Sequence, residues 1–278
     1  MTQAPAPRLT DPAALAARRA RAQADGLFLH ERVAEDLQDR LSIVNKSFTK
    51  PILITPFPDH WARLTGDLPA PPRILPPSDV LPVETESADL VFHVMDLHWS
   101  NDPVGQLIQC RRALTPDGLF LGVLFGGRTL SELRECLGQA EIEVTGGLSP
   151  RIAPMGEVRD LGGLLQRAGF ALPVADSEVL TVTYASPFKL LADLRAMGEA
   201  NALQDRLRRP TRRAVILRAM ELYVQAHGDA EGRVPATFEI VTLTGWSPDA
   251  SQQQPLRPGS AKASLADALG TTEKPLKF

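Results

Sequence analysis

What the 278-residue chain has little of already bounds what it does. Aromatic residues make up 5% of it, and its formal net charge is −3, from 30 basic and 33 acidic side chains. A nucleic-acid binder needs a basic surface to displace counterions, and a single-strand binder adds stacking aromatics, so neither leads here. The two cysteines, Cys110 and Cys136, form no CxxC pair and no metal-ligand spacing. Cys110 falls on the inner side of a helical pattern and reads as core. No apolar run reaches the ~20 residues that a membrane-spanning helix needs. The N-terminal stretch MTQAPAPRLTDPAALAARRARAQ carries arginines but no apolar segment, so it does not read as a secretory signal. These absences predict a soluble protein of a reducing, cytoplasmic compartment, with peripheral association to a membrane-bound partner left open.

What is present centres on ADLVFHVMDLHWSNDPVGQLIQCRRALTPDGLFLGVLFGG, residues 88–127. Ala88–Val94 is an apolar run of buried-strand length. Val104, Leu107, Ile108 and Leu114 recur at helical spacing over 102–114. Pro116-Asp117-Gly118 has turn chemistry: proline presets φ and glycine takes the conformation that other residues resist. Leu119–Phe125 is a second continuous apolar run, closed by Gly126-Gly127. Two buried strands joined by a crossover helix make a βαβ unit, hence a parallel sheet covered on both faces.

DLVFHVMDLHW followed by RRALTPDGLFLGVLFGG resembles the fourth strand, its loop and the fifth strand of class I S-adenosylmethionine-dependent methyltransferases. Within that superfamily the chain resembles the complex I assembly factor and protein-arginine hydroxylase family. The malonyl-carrier-protein methyltransferases of biotin synthesis are also similar. RRARAQADGLFLHERVAEDLQDRL, GGLSPRIAPMGEVRDLGGLLQRAGF and GWSP…SQQQPLRPGSA extend the first resemblance through most of the chain. The resemblance implies an α/β, Rossmann-like class I methyltransferase fold, mostly parallel with an antiparallel last strand. It also implies a helical cap over the strand ends, S-adenosylmethionine as cofactor and a protein client, a respiratory complex I subunit, modified on arginine.

The first strand, Pro51–Thr55, is where the chain departs from that pattern. The superfamily follows this strand with a glycine-rich loop of the DLGxGxG type, whose backbone passes close to the methionine end of the cofactor. Here Thr55-Pro56-Phe57-Pro58-Asp59-His60-Trp61 stands instead, and no glycine occurs until Gly66. Prolines lack an N–H and fix φ, so this loop offers neither the same donors nor the same approach. The segment that follows is short as well. Asp59–Leu64 allows a brief helix, Arg73–Leu75 a minimal strand, and five prolines crowd residues 69–77. The N-terminal half of the fold is therefore truncated, and no acidic residue for the cofactor ribose is identifiable there.

Ser78-Asp79-Val80-Leu81-Pro82 resembles the motif in which an aspartate contacts the adenine amine, which makes Asp79, with Val80, a candidate cofactor contact. His93–Asp102 follows a parallel strand at its carboxyl end, where ligands of open α/β sheets bind. It holds His93, Asp96, His98 and Trp99, and His98-Trp99 matches the family's LHW signature, a loop that in relatives lies between cofactor and substrate. His93 is assigned to the cofactor; Asp96, His98 and Trp99 to catalysis, with His98 readable as a general base or as a packed structural histidine. As metal ligands, His93, Asp96 and His98 have poor loop spacing and no fourth partner, so no metal is expected. Arg18, Arg19 and Arg21 read either as a solvated helix face or as a contact for an acidic partner.

In chain order the reading is an N-terminal helical segment over 1–47, a methyltransferase-like domain over 48–246 and a flexible tail over 247–278. Within the domain, Thr129 is set to cap a helix starting at Ser131, Met155–Gly169 is helical, and Phe170–Val174 and Val179–Tyr184 are separate strands. Cap helices span about 187–227, and Phe238–Thr244 is the last strand. A short helix is expected at Ala263–Leu269. Two functions remain open: an active arginine-modifying enzyme, or a non-catalytic binding and assembly protein that kept the fold and lost the cofactor loop.

Overall fold

The computed structural model describes residues 8–66, 68, 70–253 and 270–271. The expected helix at 263–269 lies outside them. The chain divides into two compact units, Met1–Pro248 and Asp249–Phe278, and the functional geometry below lies in the first.

Six strands form one sheet in the order β2-β1-β3-β4-β6-β5. They are β1 (Pro51–Ile54), β2 (Arg73–Leu75), β3 (Ala88–Val94), β4 (Leu114–Phe125), β5 (Ala171–Tyr184) and β6 (Val234–Trp246). The β1–β2, β1–β3 and β3–β4 pairs are parallel. β6 pairs antiparallel with both β4 and β5, so it alone runs against the rest. This is a Rossmann-like class I methyltransferase sheet with a shortened first half. The chain leaves β1 toward β2 on one side and returns to β3 and β4 on the other. The switch point, and with it the crevice where ligands bind in such sheets, lies beyond the carboxyl ends of β1 and β3.

The helices are α1 (Pro12–Arg19), α2 (Phe28–Ile43), α3 (Pro58–Leu64), α4 (Pro103–Ala113), α5 (Ser131–Thr145), α6 (Val158–Ala168), α7 (Pro187–Ala196) and α8 (Arg213–His227). Alternation along β3 sends Leu90, Phe92 and Val94 to one face, where they share a core with Leu29, Val33 and Leu37 of α2 and with Leu133 and Leu137 of α5. Val91 joins the opposite core, with Leu107 and Cys110 of α4 and Leu161 and Leu165 of α6. Among the described residues no helix is long and apolar enough to cross a membrane.

Several local expectations change. Pro116-Asp117-Gly118 does not separate α4 from a later strand. β4 already begins at Leu114, and the three residues form an irregularity where pairing shifts between Ala88 and Leu90. The positive φ, 57°, belongs to Asp117, whose carbonyl and carboxylate both accept from Lys46 Nζ. Gly118 is needed for space: a Cβ there would lie 2.9 Å from Leu114 Cδ2 and from the Thr115 carbonyl oxygen. The two strands expected at 170–174 and 179–184 are one, Ala171–Tyr184, because β6 supplies a continuous antiparallel partner from Val174 to Tyr184; Phe170 lies before it. Thr129 does not cap α5. Its hydroxyl donates to the Glu239 carbonyl and accepts from the Glu239 amide, tying the end of β4 to β6. The helix expected from Met155 begins at Val158 and stops at Gly169, whose φ is 83°.

α1 is a strap. Asp11 caps it by accepting from the Ala14 amide, and Pro12 opens it. The strap is fastened by the Thr10–Leu203 bridge, the Asp11 amide on the Ala202 carbonyl and the Arg206–Asp11 ion pair. It therefore crosses the carboxyl end of the sheet next to the α7–α8 cap.

Candidate functional site

Two cavities lie at that end of the sheet. The first, about 560 Å³, is lined by Pro56 after β1, Ser78 and Asp79 after β2, Asp96 and Trp99 after β3, and Leu15 and Arg19 of the strap. The second, about 340 Å³, lies under the cap, walled by apolar side chains such as Leu133, Ile152, Leu191 and Phe238. Trp99 lines both.

The short 3-10 turn Leu97–Trp99 fixes the loop after β3. The Trp99 amide closes on the Asp96 carbonyl, and all three residues are buried. Trp99 Nε1 donates to Glu199 Oε2 at 2.6 Å, and His98 Nε2 stands 3.4 Å from the same oxygen. Burial pushes the Glu199 carboxyl up, but His98, Arg19 and the Trp99 donor outweigh it and hold the group below its ordinary value. Glu199 is thus an ionised carboxylate whose side chain is 8% exposed. Its Oε1 is buried and has no hydrogen-bond partner.

Asp96 accepts from Arg19 Nη1, which brings the strap onto the loop after β3. The remaining Arg19 donors, Nε and Nη2, are buried without partners beside the first cavity. Arg18 faces the second cavity, so two of the three clustered arginines point inward, and Arg21 alone is solvated.

Of the catalytic candidates, the structure brings Asp96 and Trp99 to the first cavity. His98 does not line either one. It packs on Phe125, ring centroids 4.8 Å apart, and its polar contact is with Glu199. Of the cofactor candidates, Asp79 lines the first cavity, and its backbone carbonyl is held by Gln106 and Gln109. Val80 and His93 do not line that cavity. Val80 is 76% exposed. His93 is fully buried, because alternation along β3 directs it toward α4. Burial pushes its imidazole down against the pull of Asp96 and Gln106, and neither ring nitrogen makes a well-aligned hydrogen bond.

The loop after β1 has spent its polar groups internally. The Thr55 amide donates to the Leu75 carbonyl, the Phe57 amide to Thr55 Oγ1, and positions 56 and 58 are prolines. Few main-chain donors remain there to hold a ligand, whereas Arg19 offers two on the opposite wall. The residues present fit an adenosyl amino-acid cofactor with the work divided differently from the glycine-loop pattern. Arg19 suits the carboxylate end and Asp79 the amine edge of a base. Among the described residues no cluster of three His, Cys, Asp or Glu is placed to hold a metal ion.

Sequence reasoning missed Glu199 and the inward direction of Arg18 and Arg19. Glu199 follows Gly198 beyond the end of α7, and a single glutamate at such a place carries no local signal.

The family description "Methyltransferase domain" matches residues 72–122, from β2 into β4. The chain is 40% identical over 205 residues to the mitochondrial arginine-hydroxylase NDUFAF5 of Danio rerio, covering 74% of this chain and 63% of that protein. It is 40% identical over 194 residues to the Homo sapiens protein of the same description, covering 70% of this chain and 56% of that one. The malonyl-[acyl-carrier protein] O-methyltransferase of Halorhodospira halophila is 34% identical over 174 residues, 63% of this chain and 57% of that one. In each case the match spans less than two thirds of the relative. A solved structure from Bacillus halodurans C-125, provisionally described as a methyltransferase, superposes with a TM-score of 0.50 at 12% identity. It covers 78% of this chain and 99% of that one, a likeness of fold alone.

Proposed function

The chain has the class I S-adenosylmethionine methyltransferase fold and resembles the arginine hydroxylases, and from that premise we propose that it is an enzyme that modifies an arginine side chain of a protein client. The observation that carries the reading is the pair of cavities meeting at Trp99. One is a polar cleft at the switch point of the sheet. The other is an apolar pocket under a helical cap. A cofactor in the first and a side chain in the second would face each other across the loop after β3.

S-adenosylmethionine, when bound, supplies an adenosyl sulfonium with an activated methyl group. Arg19 would hold its carboxylate and Asp79 its adenine amine, taking over from the absent glycine loop. Asp96 fixes Arg19 in place. Trp99 and the cap exclude water from the client's side chain, which strengthens every electrostatic contact inside. The reaction we assign is hydroxylation, the activity in the relatives' name. One atom of a molecular-oxygen co-substrate enters a bond to hydrogen on the arginine side chain. The other leaves as water with two electrons and two protons from an external reductant, and the sulfonium's methyl group is not transferred. The client is a subunit of respiratory complex I. The site needs no membrane-spanning helix of its own for that, since a client exposed at a membrane surface can be reached peripherally.

The test is deletion of the chain in its own cell. NADH:quinone activity of the membranes should fall, and mass spectrometry of complex I subunits should show an arginine that loses the mass of one oxygen atom. Unchanged activity with unchanged peptides would overturn the proposal. Lost activity with no missing modification would favour a non-catalytic assembly role.

A further inference from the structure

We propose that Glu199 is the guanidinium-binding residue of the cap pocket, with its Oε1 receiving the side chain of an arginine in the client peptide. This rests on the arginine-modifying reading and names the residue that would give it specificity. Glu199 lines the pocket, its side chain is 8% exposed, and Oε1 is buried with no partner. Oε2 already accepts from Trp99 Nε1 at 2.6 Å. That bond and the 3.4 Å approach of His98 set the carboxylate's orientation and leave the second oxygen for a ligand.

A buried charge with an unused acceptor is costly unless something pairs with it. Apolar walls such as Leu133, Ile152 and Leu191 suit the methylene stem of a long side chain. The volume, about 340 Å³, is at the lower end of ligand pockets and matches one side chain better than a large ligand. The pocket's own arginines do not satisfy Oε1. Arg151 is bound by both oxygens of Glu141 and donates to Thr211 Oγ1. Arg18 carries a buried Nε without a partner; burial first, and then repulsion from Arg21, Arg206 and Arg195, weigh against its charge. Its free donor fits a backbone carbonyl of the same peptide. A guanidinium deep in the pocket and a peptide carbonyl at Arg18 would therefore satisfy both orphaned groups. A planar guanidinium meets a carboxylate oxygen while stacking on an aromatic face, which an ammonium does less well.

The indole proton of Trp99 touches the same carboxylate, so its NMR resonance reports directly on occupancy. The full chain would be titrated with Nα-acetyl-L-arginine methylamide and with its citrulline counterpart, which keeps the shape and lacks the charge. The expected result is a Trp99 indole shift that saturates with the arginine probe at a concentration at least tenfold lower than with citrulline. Glu199→Gln should abolish that preference; a W99F spectrum assigns the resonance. Equal affinity for the two probes in the unchanged protein would overturn the proposal without any variant. An arginine preference that persists in E199Q would overturn it too and leave the arginine-modifying reading standing. Binding of neither probe at tens of millimolar would overturn both.

Discussion

Replacing Trp99 by Phe removes one hydrogen bond and little else, which makes it the sharpest probe of the link between the two cavities. Nε1 donates at 2.6 Å to a carboxylate oxygen that otherwise has only His98 at 3.4 Å. A hydrogen bond to a charged group contributes about 1.5–3 kcal/mol, and here its loss also strands part of a buried charge. The smaller ring adds at most about 1 kcal/mol of cavity cost. A total near 2–3 kcal/mol corresponds to a drop in Tm of roughly 4–12 °C in a domain of this size. The drop carries a pH signature. Glu199 is held below its ordinary value, so its ionised form stabilises the fold above pH 4.5, and that contribution is lost as pH falls through the folded-state value. W99F weakens the hold, so its deficit is largest at neutral pH and shrinks in acid. Thermal unfolding followed by circular dichroism at pH 7, and in steps below pH 4.5 to the acid limit of the folded state, reads both. A W99F Tm within 2 °C of the parent at pH 7, or a deficit that stays constant over the whole acid range, would refute the hydrogen-bond account.

His30 accepts from Trp61 Nε1 at 2.9 Å and must stay neutral; burial, followed by weaker charge effects, pushes it down to about 3 from 6.5. The unfolded chain binds this proton first, so stability is full above pH 6.5 and falls by up to about 1.4 kcal/mol per pH unit between 6.5 and 3. H30Q, which keeps an acceptor for Trp61, should flatten that part of the urea-unfolding pH profile; an equal slope in both proteins would refute the assignment. Gly26 packs so closely on α7 that a Cβ would stand 2.7 Å from the Ala196 carbonyl carbon. G26A should therefore cost about 1–3 kcal/mol, seen as a lower denaturation midpoint, and a neutral G26A would mean that the turn between α1 and α2 gives way freely against α7. Cys110 is buried and its thiol is pushed far up by desolvation. It should react with a disulfide reagent at the rate of global unfolding, and fast labelling of Cys110 in the folded protein would contradict its place on the buried face of α4.

The β3–α4–β4 unit was legible because its strands contain continuous apolar runs and its helix repeats apolar residues at helical spacing. β5 was not. Its middle, Ala175-Asp176-Ser177-Glu178, carries no strand pattern, and pairing with β6 overrides propensity there. Turn chemistry misled at Pro116-Asp117-Gly118, since a bulge in a paired strand uses the same residues as a free turn. At the site, the loop holding Asp96, His98 and Trp99 was visible from its position after a parallel strand. The direction of each side chain was not, because it depends on partners far along the chain. Trp99 meets Glu199 across 100 residues and Arg19 meets Asp96 across 77, distances at which no local spacing gives warning. Arg18 and Arg19 resembled a solvated face for the same reason.

The central claim is that Arg19 and Asp79 replace the missing glycine loop in holding an adenosyl cofactor. Isothermal titration of the full chain with S-adenosylmethionine and S-adenosylhomocysteine tests it most directly, with Arg19→Met beside the parent protein. Micromolar binding by the parent, weakened at least tenfold in R19M while Tm stays close to the parent's, is the result expected. No binding by the parent at millimolar ligand would contradict the claim, and so would an R19M affinity equal to the parent's.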